Sequence, residues 1–242
     1  VESDQLLAER RFGDALAVAT RALGVRSARE DFGARFRIVR AHSLWNTGRV
    51  RVARGEARRA VGESEEPLTR ARAHDALALF AWKDAQFGDA LALAESARRV
   101  YEARAVPSGL ARSLQAEAGL LSDRGQLEPA LRAQTRRVEA LGQSAPERLG
   151  EALADRSALL ALLGRWEEAW ADLDAAARVL RRLGVPGSVG LRRAALELKR
   201  GEVGAARRLL DEAREVERLR PSSPRVLADA CLVGADILLA AG

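Results

Sequence analysis

The chain has 242 residues, 48% of them apolar and 31% charged, which supplies enough apolar material for a packed core and excludes wholesale disorder. Aromatic residues make up 4% and runs of Val, Ile and Thr are nearly absent, which argues against a sheet; the lone Cys231 excludes an internal disulfide or cysteine-cluster metal site, and His42 and His74 leave little for any metal centre. The net charge of +6 is carried by arginine, with lysine only at Lys83 and Lys199, and 34 acidic residues are interleaved with it, so nucleic acid is not the expected partner.

In chain order, helical periodicity, breakers and start signals predict helices over about 3–10, 13–23, 28–47, 50–62, 66–85, 87–105, 109–124, 127–141, 146–163, 166–183, 189–200, 203–219 and 224–241. No strand is predicted. Leu23-Gly24-Val25, Leu141-Gly142 and Leu183-Gly184-Val185 read as helix ends. Ser27-Ala28-Arg29-Glu30 and Ser144-Ala145-Pro146-Glu147 read as capping boxes, and Ser223-Pro224 as an N-cap with proline in the first turn. No run of 18 apolar residues occurs and the start does not read as a signal peptide, so the expectation is a soluble cytoplasmic chain with no membrane partner.

A short motif recurs along these helices: an aromatic or aliphatic residue, two residues, then alanine. The copies are Phe12–Ala15, Val50–Ala53, Phe87–Ala90, Leu127–Ala130, Trp166–Ala169 and Val203–Ala206, with their alanines 37 to 40 residues apart. Five residues before the alanine stands glycine in four copies, at Gly48, Gly125, Gly164 and Gly201. Twelve before it stands a small residue in all six: Ser3, Ala41, Ala78, Ala118, Ser157 and Ala194. Seven after it stand Ala22, Ala60, Ala97, Arg137, Ala176 and Ala213, five of which are small. Small residues at fixed places let paired helices approach closely, and glycine before the turn supplies a left-handed residue that ends the first helix.

This pattern resembles the tetratricopeptide repeat family, most closely at Gly164-Arg165-Trp166-Glu167-Glu168-Ala169, and the resemblance covers nearly the whole chain. The period exceeds the family's usual length of about 34 residues. Such long repeats are similar to those of maltose-regulator-type bacterial signalling proteins and kinesin light chains. The resemblance implies an all-α fold: a right-handed superhelix, or α-solenoid, of about six helix-turn-helix repeats plus a terminal helix. The expected repeats are 1–25, 26–65, 66–106, 107–143, 144–185 and 186–221, with the terminal helix over 222–242, in one domain that reads as a segment of a larger regulatory protein.

In that family the first helices of successive pairs line a concave face, so a peptide groove is implied there. Counting back from the anchor alanines projects Arg35, Arg72 and Arg112 onto it as an arginine rung. Trp45, Trp82 and Ser122 follow, then Asn46, Lys83 and Asp123, with His42, Asp75 and Gln115 between. Tryptophan and arginine are the side chains most enriched at binding hot spots, and guanidinium pairs with carboxylate in a two-toothed fork. The expected partner is a protein or peptide segment, acidic with apolar anchors. The later repeats place Ala154, Ala158, Ala161, Leu162 and Leu198 in the same columns, a smoother apolar face.

Phe12, Phe87, Trp166 and Trp170 read as packing residues. Arg51, Arg54 and Arg58 read as a solvated stripe, and Cys231 as a small buried hydrophobe. No nucleophile elbow, phosphate loop, dinucleotide loop or zinc-protease motif occurs, so neither catalytic nor metal residues nor a cofactor is assigned. The leading expectation is a non-enzymatic interaction scaffold, the sensing or docking arm of a bacterial regulator. The alternatives are a small-effector sensor and a self-assembly module that pairs copies through the terminal helix.

Overall fold

The computed structural model describes residues 5–7, 11–24, 30–142, 145–182, 187–219, 234–236 and 239–240. The regular elements among them are helices: α1 Phe12–Gly24, α2 Glu30–Asn46, α3 Val50–Glu63, α4 Pro67–Lys83, α5 Phe87–Ala103, α6 Pro107–Asp123, α7 Leu127–Leu141, α8 Pro146–Leu162, α9 Trp166–Arg182, α10 Gly187–Lys199 and α11 Val203–Leu219. The helices expected over 3–10 and 224–241 are described only at 5–7, 234–236 and 239–240, where the chain is helical. Ser3, the segment from Val25 to Arg29, Ser144, Leu183 to Val185, Ser223, Pro224 and Cys231 lie outside the described residues.

Contacts divide the chain into two compact units, Val1–Arg124 and Gly125–Gly242. In the first, α2–α3 and α4–α5 are helical hairpins, α1 packs on α2, and α6 packs on α5; the first helices also touch in sequence, α2 on α4 and α4 on α6. In the second, α8–α9 and α10–α11 are hairpins, α7 packs on α8, and α10 packs on both α8 and α9.

The repeat columns explain this packing. The six anchor alanines, Ala15, Ala53, Ala90, Ala130, Ala169 and Ala206, are all fully buried at 0% exposure. The small column twelve residues earlier is buried at each described position, Ala41, Ala78, Ala118, Ser157 and Ala194. With no side chain beyond Cβ at either place, two helix backbones close on each other and longer neighbours fill the flanks. Phe80, fully buried between α2 and α4, is one such filler.

The turn inside each hairpin has one geometry. Gly48, Gly125, Gly164 and Gly201 all take positive φ, from 72° to 83°. After α2, the Gly48 amide donates to the Trp45 carbonyl at 3.0 Å and the Arg49 amide to the Leu44 carbonyl at 2.8 Å, the doubled bond that closes a helix over a left-handed residue. The third repeat lacks the glycine, yet Ala85 takes its place at φ 59° with the same bonds, Ala85 to Trp82 and Gln86 to Ala81, both 2.9 Å.

Helix starts differ from one expectation. Where a capping box was read at Ser144–Glu147, the cap position of α8 is Ala145, which makes no side-chain cap bond; Pro146 opens the helix, its missing N–H being one that needs no partner there. Pro67 and Pro107 open α4 and α6 likewise, and Glu66 caps α4 by accepting from the Leu68 and Thr69 amides at 2.9 and 2.6 Å.

Arg137 breaks the small column that follows the anchors, and it too is buried. It reaches Asp155 on α8 at 2.8 Å, and Arg192 on α10 donates to the other oxygen of the same carboxylate at 2.8 Å. A charge in a column of alanines therefore marks a polar seam in the second unit rather than an exposed patch.

Candidate functional site

The first helices α2, α4 and α6 present a grid of three columns and four rows on the first unit. Helical spacing puts Arg35, Ile38, His42 and Trp45 on one face of α2. The matching residues of α4 are Arg72, Asp75, Leu79 and Trp82, and those of α6 are Arg112, Gln115, Gly119 and Ser122. Every residue projected onto the groove lies on these three helices. The structure ties some of them into packing and leaves others to solvent.

The arginine row is split. Arg112 donates from Nε to Asp75 at 2.8 Å and from Nη2 to the Tyr101 hydroxyl at 2.9 Å. The Tyr101 hydroxyl donates to the same Asp75 oxygen at 2.9 Å, and the Ser113 hydroxyl to the other at 2.7 Å. Asp75, only 8% exposed in its side chain, is thus filled by three donors from α5 and α6. Burial and the Asp75 charge raise the Tyr101 phenol far above its usual range, so it stays a donor.

Arg72 stands one repeat earlier at the same place. The residue that would answer it on α2, three positions on from Arg35, is Ile38, a buried aliphatic, where α4 has Asp75. Arg72 and Arg35 are exposed and make no hydrogen bond or ion pair among the described residues. The rung therefore has two free guanidiniums and one neutralised.

The tryptophan row is occupied by packing. Trp45 stacks on Phe80 with centroids 4.3 Å apart and planes 8° from parallel, and Arg54 of α3 covers it at 5.9 Å. Arg54 also pairs with Asp84, so of the expected solvated stripe only Arg51 and Arg58 are exposed. Trp82 lies on Gly119 of α6 so closely that a Cβ there would come within 2.5 Å of the ring. Its Nε1 donates to Asp123 at 2.7 Å, and Lys83 sits 5.4 Å from the ring centre.

His42 is half-buried, edge-on to Phe80 at 5.8 Å, and burial together with the Arg112 charge pushes its imidazole down to about 4. It is neutral near pH 7, an acceptor or single donor rather than a cation. Asn46 is turned to its own helix, donating to the His42 carbonyl at 2.8 Å, while Gln115 is exposed.

Sequence reasoning missed Tyr101 and Gly119. Tyr101 is the one tyrosine in the chain and stands on a second helix, outside the columns that project onto the face. Gly119 is a helix-interior glycine, whose propensity cost of about 1 kcal/mol is itself a sign of close approach. In the second unit Ala154 and Ala161 are buried, Leu198 is half-buried, and Ala158 and Leu162 are exposed.

No group of three or more His, Cys, Asp or Glu among the described residues is arranged to hold a metal ion, and no described helix is long and apolar enough to cross a membrane.

No protein-family model and no curated protein sequence matches the chain. Solved structures do. BtubC (BKLC) from P. vanneervenii superposes with a TM-score of 0.72 at 14% identity, over 93% of this chain and 94% of that one. The TPR-like repeats of a Podosopora anserina kinesin light chain give 0.66 at 16% identity, over 80% and 99%. The Rap conjugation gene regulator of the plasmid pLS20, solved in complex with the Phr* peptide, gives 0.66 at 13% identity, over 99% and 74%. At such identities the likeness is one of fold, and the fold is the tetratricopeptide-type stack of helical hairpins.

Proposed function

We propose that this tetratricopeptide-type chain is a docking module that binds an acidic peptide or protein segment along the α2–α4–α6 face of its first unit, as the sensing or docking arm of a bacterial regulator. Arg35 and Arg72 receive the ligand's carboxylates. Gln115, Asn46 and Lys83 supply polar contacts along the face, and the exposed edges of Trp45 and Trp82 supply apolar ones. The activity needs no bond-making chemistry.

The observation that carries the reading is the unanswered charge of Arg72. The same position one repeat later is neutralised inside the protein, whereas here the answering residue is Ile38. A free guanidinium with a fixed neighbour one helix away is prepared for a two-toothed bond to an incoming carboxylate. The peptide complex of the Rap regulator lends support, since that protein of the same fold takes a peptide ligand.

The test is selection of random peptides of about 12 residues on the immobilised chain. The reading expects enrichment of Asp and Glu with interspersed apolar residues. Binding of the selected peptide should fall at least about tenfold in Arg72→Glu, equivalent to about 1.4 kcal/mol, with unchanged helicity and melting. Enrichment of basic peptides, or equal binding to Arg72→Glu, would overturn it.

A further inference from the structure

The second unit carries a cleft that the face described above does not include. Helices α7 and α9 both pack on α8 and not on each other, which leaves a channel about 690 Å³ in volume with α8 as its floor. One wall is a stripe of α7 at helical spacing, Glu128, Leu131, Arg132, Thr135 and Arg136. The floor gives Arg156 and Leu160, and the other wall Arg165, Glu168, Ala171 and Asp172.

The charges of the far wall are spent on one another. Arg156 holds Asp172 in a two-toothed bond, 2.7 Å at both contacts, and Arg165 holds Glu168 in the same way, again 2.7 Å at both. Those two carboxylates accordingly offer little repulsion to an incoming acid. On the α7 wall Arg132 is exposed and makes no hydrogen bond or ion pair among the described residues, and Arg136 follows it one turn on. Between them stands the Thr135 hydroxyl, and beneath them the apolar strip of Leu131, Leu160 and Ala171. Glu128 marks the opposite end of the wall and, being acidic, gives the cleft a polarity.

We infer that this cleft is a second docking site, for an acidic amphipathic helix of a partner protein. One row of its side chains is apolar and covers Leu131, Leu160 and Ala171. The flanking row carries carboxylates one turn apart, which meet Arg132 and Arg136. A helix suits the channel because its walls are themselves helices of 15 and 17 residues, and because carboxylates four residues apart on a helix match guanidiniums four residues apart on α7. A small anion would use the arginines and leave the apolar strip uncovered.

The test uses the full chain and a labelled peptide of about 15 residues with Leu and Glu at helical spacing. Two controls accompany it, the same peptide with Gln for Glu and a polyglutamate of equal length. Saturable binding is expected from the first peptide, at least about tenfold weaker from either control, with amide shifts confined to α7, α8 and α9. Arg132→Glu with Arg136→Glu should weaken it at least about tenfold while Arg72→Glu leaves it unchanged, which separates this site from the first-unit face.

Binding that persists in the double variant, that is lost in Arg72→Glu, or that polyglutamate matches would overturn the proposal. So would full displacement by equimolar pyrophosphate, which would mark a small-anion site. A concentration-dependent mass abolished by the double variant would instead make the occupant a second copy of this chain. Should the double variant lose helicity, Arg132→Gln alone gives the same reading.

Discussion

The Arg112 guanidinium meets the Asp75 carboxylate at 2.8 Å across the α4–α6 contact, and the same carboxylate oxygen accepts the Tyr101 hydroxyl from α5 at 2.9 Å. One acid on a first helix thus fastens a second helix of its own repeat and the first helix of the next. Removing it strands a buried phenol and uncouples three helices together. Asp75→Ala should cost about 2–4 kcal/mol in urea unfolding, and Asp75→Asn somewhat less, because the amide keeps the shape and one acceptor. Arg112 is half open to water, which keeps the expected loss below that of a fully buried pair. A loss under about 0.5 kcal/mol for Asp75→Ala would show that the network adds no stability.

Ala85 sits at φ 59° where four other repeats have glycine. A Cβ in the left-handed region costs about 1–2 kcal/mol, and the hydrogen bonds of the turn are already those of the glycine copies. Ala85→Gly should therefore raise stability by about 0.5–1 kcal/mol, the gain being trimmed by the greater freedom of glycine in the unfolded chain. Gly48→Ala should show the opposite sign. A stability drop in Ala85→Gly would mean the turn is not held in this geometry in solution.

The hairpin pattern was legible because close helix approach demands small residues at fixed places, and Ala53, Ala90 and Ala169 announce those places without help from the rest of the chain. The left-handed turn was legible at Gly48 and Gly164 for the same reason and hidden at Ala85, where packing and hydrogen bonds override a local preference. The face was harder to read. Arg35, Arg72 and Arg112 look alike in a column. Their difference depends on a residue of the preceding repeat, Asp75 for one and Ile38 for another, which only pairing of two columns brings out. The two tryptophans likewise looked free to face a ligand, but Trp82 is fixed by the absence of a side chain at Gly119, a feature with no periodicity of its own.

Gly109 lets α6 close on Tyr101. A Cβ at that position would lie 2.4 Å from Cδ1 of a ring that is 1% exposed and held at its hydroxyl by Asp75 and Arg112. The ring has no room to yield, so overpacking should outweigh the helix-propensity gain of about 1 kcal/mol from glycine to alanine. Gly109→Ala is expected to lose about 1–3 kcal/mol in equilibrium unfolding, whereas Gly55→Ala, with nothing within 4 Å of its Cβ, should be neutral or gain. Equal effects at the two sites would remove close approach as the cause.

His42 makes the first unit sensitive to mild acid. Its folded pKa of about 4 lies below the value near 6.5 of an unfolded histidine, through burial first and the Arg112 charge second. Between those values the unfolded chain binds a proton that the folded chain refuses, so stability is full above about pH 6.5 and declines as the pH falls, until the folded imidazole itself protonates near 4. The accumulated loss is of the order of 2–3 kcal/mol. His74 is also depressed, by burial and then by Arg70, and adds to the decline in the same direction. Urea unfolding at pH 7, 6 and 5 should therefore show falling stability, and His42→Gln should flatten the slope without abolishing it. A titration of the His42 ring protons that placed its midpoint near 6.5 would show that Phe80 and Arg112 do not exclude its charged form.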